Sequence, residues 1–82
     1  MDNSAQLAVV LLHSSVDTTI MLIDVMVTKK VVTPGEGAAM LLQYADRMNE
    51  DAEKVGIDAQ IKPLIDHVHA KIEQLQSLNK SG

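Results

Sequence analysis

The sequence predicts an all-α protein in which three helices pack around an aliphatic core. Apolar residues recur at helical spacing along three segments, and Pro, Gly and capping residues separate those segments. The first segment is apolar around most of its circumference, so other surfaces must cover it on several sides. We expect one domain over residues 1–82, with helices over about residues 4–29, 34–55 and 58–78 and a frayed tail over residues 79–82. The long first helix should form a hairpin with the second, and an amphipathic third helix should complete the bundle. Homo-oligomerisation should cover the apolar surface that remains exposed.

The first helix should begin near Asn3, because Asn3 followed by Gln6 resembles a capping box. Its many β-branched residues lower helix propensity, so a buried strand over residues 20–27 is the alternative. Helix is favoured because, at about 100° per residue, the polar side chains fall in one narrow stripe. That stripe contains Gln6, His13, Asp17, Asp24 and Thr28.

The remaining circumference of the first helix divides into two apolar rows. One row is uniformly aliphatic and consists of Val9, Leu12, Val16, Ile20, Ile23 and Val27. The other mixes large apolar side chains with small hydroxyls and consists of Leu7, Leu11, Ser14, Thr18, Met21, Leu22 and Val25. A three-helix domain needs one row per helix, and an exposed second row would form an apolar patch of several hundred Å². We therefore predict that the second row mediates self-association, with a two-fold dimer as the default.

The second helix has the clearest start signal. Thr33, Pro34 and Glu36 supply a capping side chain, a Pro in the first turn and the reciprocal carboxylate of a capping box. Gly56 predicts a left-handed residue at the end of this helix. Between them, one face is apolar and the opposite face is charged, and the apolar face consists of Leu41, Ala45, Met48, Ala52 and Val55.

The third helix opens at Asp58, which is a favourable N-cap residue. Pro63 complicates the start, because Pro is tolerated in a first turn but not in a helix interior. Either residues 58–61 form a separate turn, or the helix begins at Asp58 and accepts Pro63 in its opening turns. The amphipathic stripe that follows consists of Ile61, Leu64, Ile65, Val68, Ile72, Leu75 and Leu78.

Composition excludes several classes of protein. The formal net charge is −4 with scattered basic residues, which argues against nucleic-acid binding. The absence of Cys fits a cytoplasmic protein. With no Phe or Trp and one Tyr, the core must be aliphatic. Four Met residues suit either the core or an adaptable interface, with core filling as the favoured interpretation: Met21, Met26, Met40 and Met48.

A membrane span is not expected. Residues 7–27 are about long enough to cross a bilayer. They include His13, Asp17 and Asp24, and an acidic residue at mid-helix costs about 2.5–3.5 kcal/mol in hydrocarbon. Residues 1–4 also lack the positive charge of a signal peptide.

No cofactor, metal site or catalytic site is predicted. His13 and Asp17 share a helix face at i, i+4 spacing, but a metal site would need His67 or His69 to fold back onto them. A solvated stripe or one buried ion pair is the preferred interpretation. The chain has no Gly-rich phosphate loop and no nucleophile with a spaced base, so we expect no enzyme activity.

These features indicate a non-enzymatic interaction module, a homodimeric regulator, inhibitor or adaptor that docks on a larger protein. The predicted partner-binding residues lie on the second helix and are Tyr44, Arg47, Glu50 and Asp51. One alternative is a structural subunit of a larger homo-oligomer. Another is a small nucleic-acid-binding regulator, whose support is confined to Lys62, Lys71 and Lys80.

Overall fold

The computed structural model describes the backbone of residues 3–81 and the side chains of Ser4 and residues 6–80. It contains three helices, α1 (Asn3–Thr28), α2 (Pro34–Val55) and α3 (Asp58–Ser81), and no strand in the described part of the chain. Short connections make successive helices antiparallel, in a bundle measuring 46 × 17 × 16 Å. The all-α, three-helix fold predicted from the sequence is confirmed.

The first helix is continuous through the segment that could have formed a strand. Val16 and Ile23 are buried two turns apart, which is the spacing of one helix face. The side chain of Asn3, where the cap was predicted, lies outside the described residues. At the other end, Lys30 has φ of 62°, and the N–H groups of Lys30 and Val31 donate to the carbonyls of Val27 and Met26. A left-handed residue with this hydrogen-bond pair is the Schellman helix ending.

The predicted caps of α2 are confirmed. Glu36 N donates to Thr33 Oγ1 over 3.1 Å, and Thr33 N donates to Glu36 Oε1 over 2.9 Å. Pro34 occupies the first turn, where its missing N–H leaves no bond unmade. Gly56 has φ of 77° and ψ of 24°, the left-handed conformation that Gly adopts without a Cβ clash.

The third helix begins at the predicted residue 58 and ends later than predicted. Asp58 is its first helical residue rather than its N-cap, because the carbonyl of Ile57 accepts from Gln60 N and Ile61 N. The helix continues through Pro63, so no separate turn forms. Its end at Ser81 lies beyond the predicted 78, and Gly82 lies outside the described residues. The last turn contacts α2, since Asn79 Oδ1 accepts from Gly35 N over 3.1 Å.

All three helices contribute to one aliphatic core. The most extensive pairing is between α2 and α3, and α1 packs against both equally. The buried side of α2 includes Ala38, Ala45 and Ala52, and these small side chains permit close approach of the neighbouring helices. A Cβ on Gly37 would lie 3.1 Å from methyl groups of Ile23 and Val27, so α1 approaches the start of α2 closely.

Several residues predicted in the core are exposed instead. Val55 is 70% exposed because it borders a cleft between α1 and the last turn of α2. Leu78 lies roughly 80° from the centre of the buried stripe of α3 and is half exposed. Met48 is buried, but Met40 and Met21 are substantially exposed, so only part of the Met set fills the core.

Candidate functional site

One side of α1 faces solvent although large aliphatic side chains line it. Val16, on the opposite side of the helix, is fully buried. The solvent-facing aliphatic side chains are 51–62% exposed and are Leu7, Val10, Leu11, Met21, Leu22 and Val25. Ser14 and Thr18 are exposed between them. We call these eight residues the outer face of α1.

The seven residues predicted to mediate self-association all lie on the outer face. Self-association itself stays a prediction. Sequence reasoning missed Val10, although it lies three residues after Leu7 and four before Ser14, which is the spacing of one helix face. The other predicted row behaves as a core row, with Val16 and Ile23 buried and the rest partly buried against the core.

The outer face is a large apolar patch for a single protomer. Its six large aliphatic side chains expose on the order of 600 Å², at the upper end of the 300–600 Å² typical of a monomer's largest apolar patch. The smallest stable protein interfaces bury about this much per partner.

The side of α1 next to α3 carries the polar stripe. Asp24 Oδ1 lies 2.7 Å from Lys71 Nζ, an ion pair between helices in which only 19% of the Lys71 side chain is exposed. His13 and Asp17 are exposed. The stripe therefore contains one partly buried ion pair and otherwise solvated groups.

His69 lies away from the polar stripe of α1. His69 lines a shallow groove between α2 and α3 with Asp46, Asp58 and Asp66, and no α1 residue borders this groove. In the described part of the chain, no three His, Asp or Glu side chains lie close enough to hold a metal ion.

A cleft of about 560 Å³ separates the first half of α1 from the second half of α2. Its walls are mainly apolar and include Leu11, Leu12 and Val55. At its edge, the hydroxyls of Ser15 and Tyr44 lie 2.7 Å apart in a hydrogen bond that joins the two helices. The Tyr44 ring packs against the core, so this side chain contributes to the fold as well as to the cleft.

The residues predicted to bind a larger protein lie close together. Tyr44, Arg47 and Asp51 border the cleft. Glu50 lies with Arg47 and Asp51 on a neighbouring polar surface of α2. The structure places these side chains on one continuous region, and the binding of a larger protein there stays a prediction.

By length and composition, one helix in the described part of the chain could cross a membrane. The segment Gln6–Thr28 passes this test, and only 11% of its most apolar window is buried in the bundle. The same helix carries the core residues Val16 and Ile23 and the ion-paired Asp24.

Comparison of the chain with protein families, with curated proteins and with solved structures found no significant match.

Proposed function

We propose that this chain is a cytoplasmic, non-enzymatic interaction module that works as a homodimer, with the outer face of α1 as its working surface. The observation that carries the proposal is the exposure of six large aliphatic side chains along a single helix face. Water contact with such side chains is unfavourable by about 25 cal/mol for each Å². A second copy of the chain supplies the same apolar surface and would remove both faces from water together.

The contacts of α1 within the bundle favour a protein partner over a lipid bilayer. A spanning α1 would lose the Asp24–Lys71 ion pair and the Ser15–Tyr44 hydrogen bond. It would also withdraw Val16 and Ile23 from the core and leave the apolar sides of α2 and α3 uncovered. Covering the outer face while the bundle stays intact avoids these losses.

The lysines offer little support for nucleic-acid binding. Lys71 is paired with Asp24, and Lys62 Nζ lies 3.7 Å from Asp66 Oδ1. Two of the three lysines that could contact phosphate therefore already lie next to carboxylates, which weakens their attraction for a polyanion.

Light scattering combined with size-exclusion chromatography tests the proposal. The parent chain should have about twice the protomer mass of 8.9 kDa. Met21→Lys places a charge in the outer face and should give a monomer with an unchanged helical circular-dichroism spectrum. Val31→Lys is the matched control, because Val31 is also exposed but lies in the loop after α1, and it should remain a dimer.

Other masses lead to other conclusions. A parent chain that is monomeric at high micromolar concentration would contradict the proposal, and binding of that monomer to lipid vesicles would assign the outer face to a membrane. Assemblies that grow with concentration beyond a dimer would favour a structural subunit.

A further inference from the structure

The outer face of α1 has an internal symmetry. Its exposed residues form pairs at equal distances along the chain from Val16. The pairs are Leu7 with Val25, Val10 with Leu22, Leu11 with Met21, and Ser14 with Thr18. No large exposed aliphatic residue described on α1 falls outside these pairs.

Because each residue turns the helix by about 100°, residues equally far from Val16 along the chain also lie at equal angles around the helix axis. At about 100° per residue, the midline of the outer face lies opposite Val16, and Leu7 and Val25 lie on this midline. The members of each other pair lie on opposite sides of it by equal angles, roughly 20° for Ser14 and Thr18 and roughly 40° for Leu11 and Met21. The pattern is that of a face centred on the level of Val16.

We propose that two copies of α1 pair antiparallel through their outer faces, with the two-fold axis at the level of Val16. This inference rests on the proposed homodimer and specifies its geometry. Each residue of a pair then lies at the level of its counterpart in the other protomer. Because the counterparts off the midline point to opposite sides, their side chains pass beside each other rather than collide.

The sizes of the side chains fit such a crossing. Two helices that cross at a shallow angle of about 20° are closest at the crossing point and diverge by only a few Å towards their ends. Ser14 and Thr18, which are small, lie next to the proposed axis. The large side chains lie towards both ends, where they can fill the widening space. Two antiparallel faces of this kind are complementary to themselves, as an isologous interface requires.

Disulfide trapping tests the geometry, since the chain contains no Cys. Leu7 and Val25 are about 27 Å apart along one helix at 1.5 Å per residue, so neither Leu7→Cys nor Val25→Cys can reach its own symmetry mate in an antiparallel pair. Each variant alone should give no covalent dimer on oxidation. A mixture of the two should give one, because residue 7 of one protomer then meets residue 25 of the other.

One control and one further variant complete the experiment. Val31→Cys, exposed in the loop, measures disulfides that form by random collision. Ser14→Phe adds bulk at the proposed crossing point and should raise the dimer dissociation constant about tenfold or more, because overpacking a close contact is destabilising. If the outer face bound lipid instead, the added aromatic ring would increase the affinity for lipid vesicles.

The outcomes separate the geometry from the proposed function. Covalent dimers of Leu7→Cys alone, above the Val31→Cys background, would indicate a parallel pair and overturn the inference. A parent chain that is dimeric by mass but gives no disulfide in the mixture would overturn it as well, while leaving the homodimer intact. A monomeric parent chain would contradict both the homodimer and its antiparallel geometry.

Discussion

Lys71 on α3 places its ammonium group 2.7 Å from the carboxylate of Asp24 on α1, and its Nζ also donates to Gln74 Oε1 over 3.1 Å. These two helices run parallel and are not consecutive in the chain. The ion pair therefore adds a polar contact between two helices that no loop connects, and it lies on the side of α1 away from the α1–α2 cleft.

Removing this ion pair should cost a measurable but modest amount of stability. Asp24→Asn should lower the free energy of unfolding by about 0.5–1 kcal/mol, because the pair is only partly exposed. Asp66→Asn is the control, since its pair with Lys62 is longer and largely exposed, and it should change stability by less than about 0.3 kcal/mol. Denaturant unfolding at one fixed protein concentration measures both. Equal effects of the two substitutions would contradict the structural role of Lys71.

Two adjacent leucines on α2 should respond very differently to truncation. Leu41 is fully buried, and Leu41→Ala should lower the free energy of unfolding by about 2–5 kcal/mol. Leu42 is 42% exposed, and Leu42→Ala should cost about 1 kcal/mol or less. Chemical denaturation compares them directly. A large loss for Leu42→Ala would mean that a partner copy covers this position too.

The capping box should make stability depend on pH. Hydrogen bonds from the backbone of Thr33, and secondly from its side chain, lower the pKa of Glu36 below its ordinary value of 4.5. A carboxyl with a lower pKa in the folded state stabilises the fold above the unfolded pKa and loses this effect as pH falls through the folded value. Glu36→Gln keeps an acceptor but cannot titrate.

The stability difference between the parent chain and Glu36→Gln should therefore be constant at neutral pH and shrink below about pH 4.5. Unfolding curves across this range measure it. Thr33→Ala should independently cost about 1 kcal/mol, because it removes the acceptor for Glu36 N. Parallel pH profiles for the parent and Glu36→Gln would refute the assignment.

Lys30 should be a site for stabilisation. Its φ of 62° costs a residue with a Cβ about 1–2 kcal/mol, whereas Gly adopts this conformation freely. Gly also raises the conformational entropy of the unfolded chain, which offsets part of this stabilisation. Lys30→Gly should raise the free energy of unfolding by about 0.5–1 kcal/mol. Lys29 N still donates to Val25 O as in a helix, so Lys29→Gly should be destabilising. A loss of stability in Lys30→Gly would show that the lysine side chain is needed there.

Local signals in the sequence were most reliable at the ends of α2. Thr33, Glu36 and Gly56 act through neighbouring backbone groups, so their roles depend on few other residues. Pro63 was ambiguous because its missing N–H concerns one hydrogen bond, which a helix can forgo near its start. The left-handed Lys30 carried no local signal, since Lys has no preference for that conformation.

The candidate site was predictable in part. Helical periodicity separated the buried row of α1 from the outer face, because that division depends only on angles around one axis. Val10 was missed although it lies within the same angles. The α1–α2 cleft and the hydroxyl contact of Ser15 with Tyr44 could not be foreseen, because residues far apart in sequence form them.

The sequence by itself determined that this protein is helical, where α2 begins and ends, and that α1 has more apolar surface than a core of three helices requires, since these follow from spacing, capping and composition. Only the tertiary structure decided which helices pair most closely, that Lys71 reaches Asp24, and that Val55 and Leu78 stay in solvent. Those outcomes depend on how side chains from distant segments fit together, and no single segment encodes that fit.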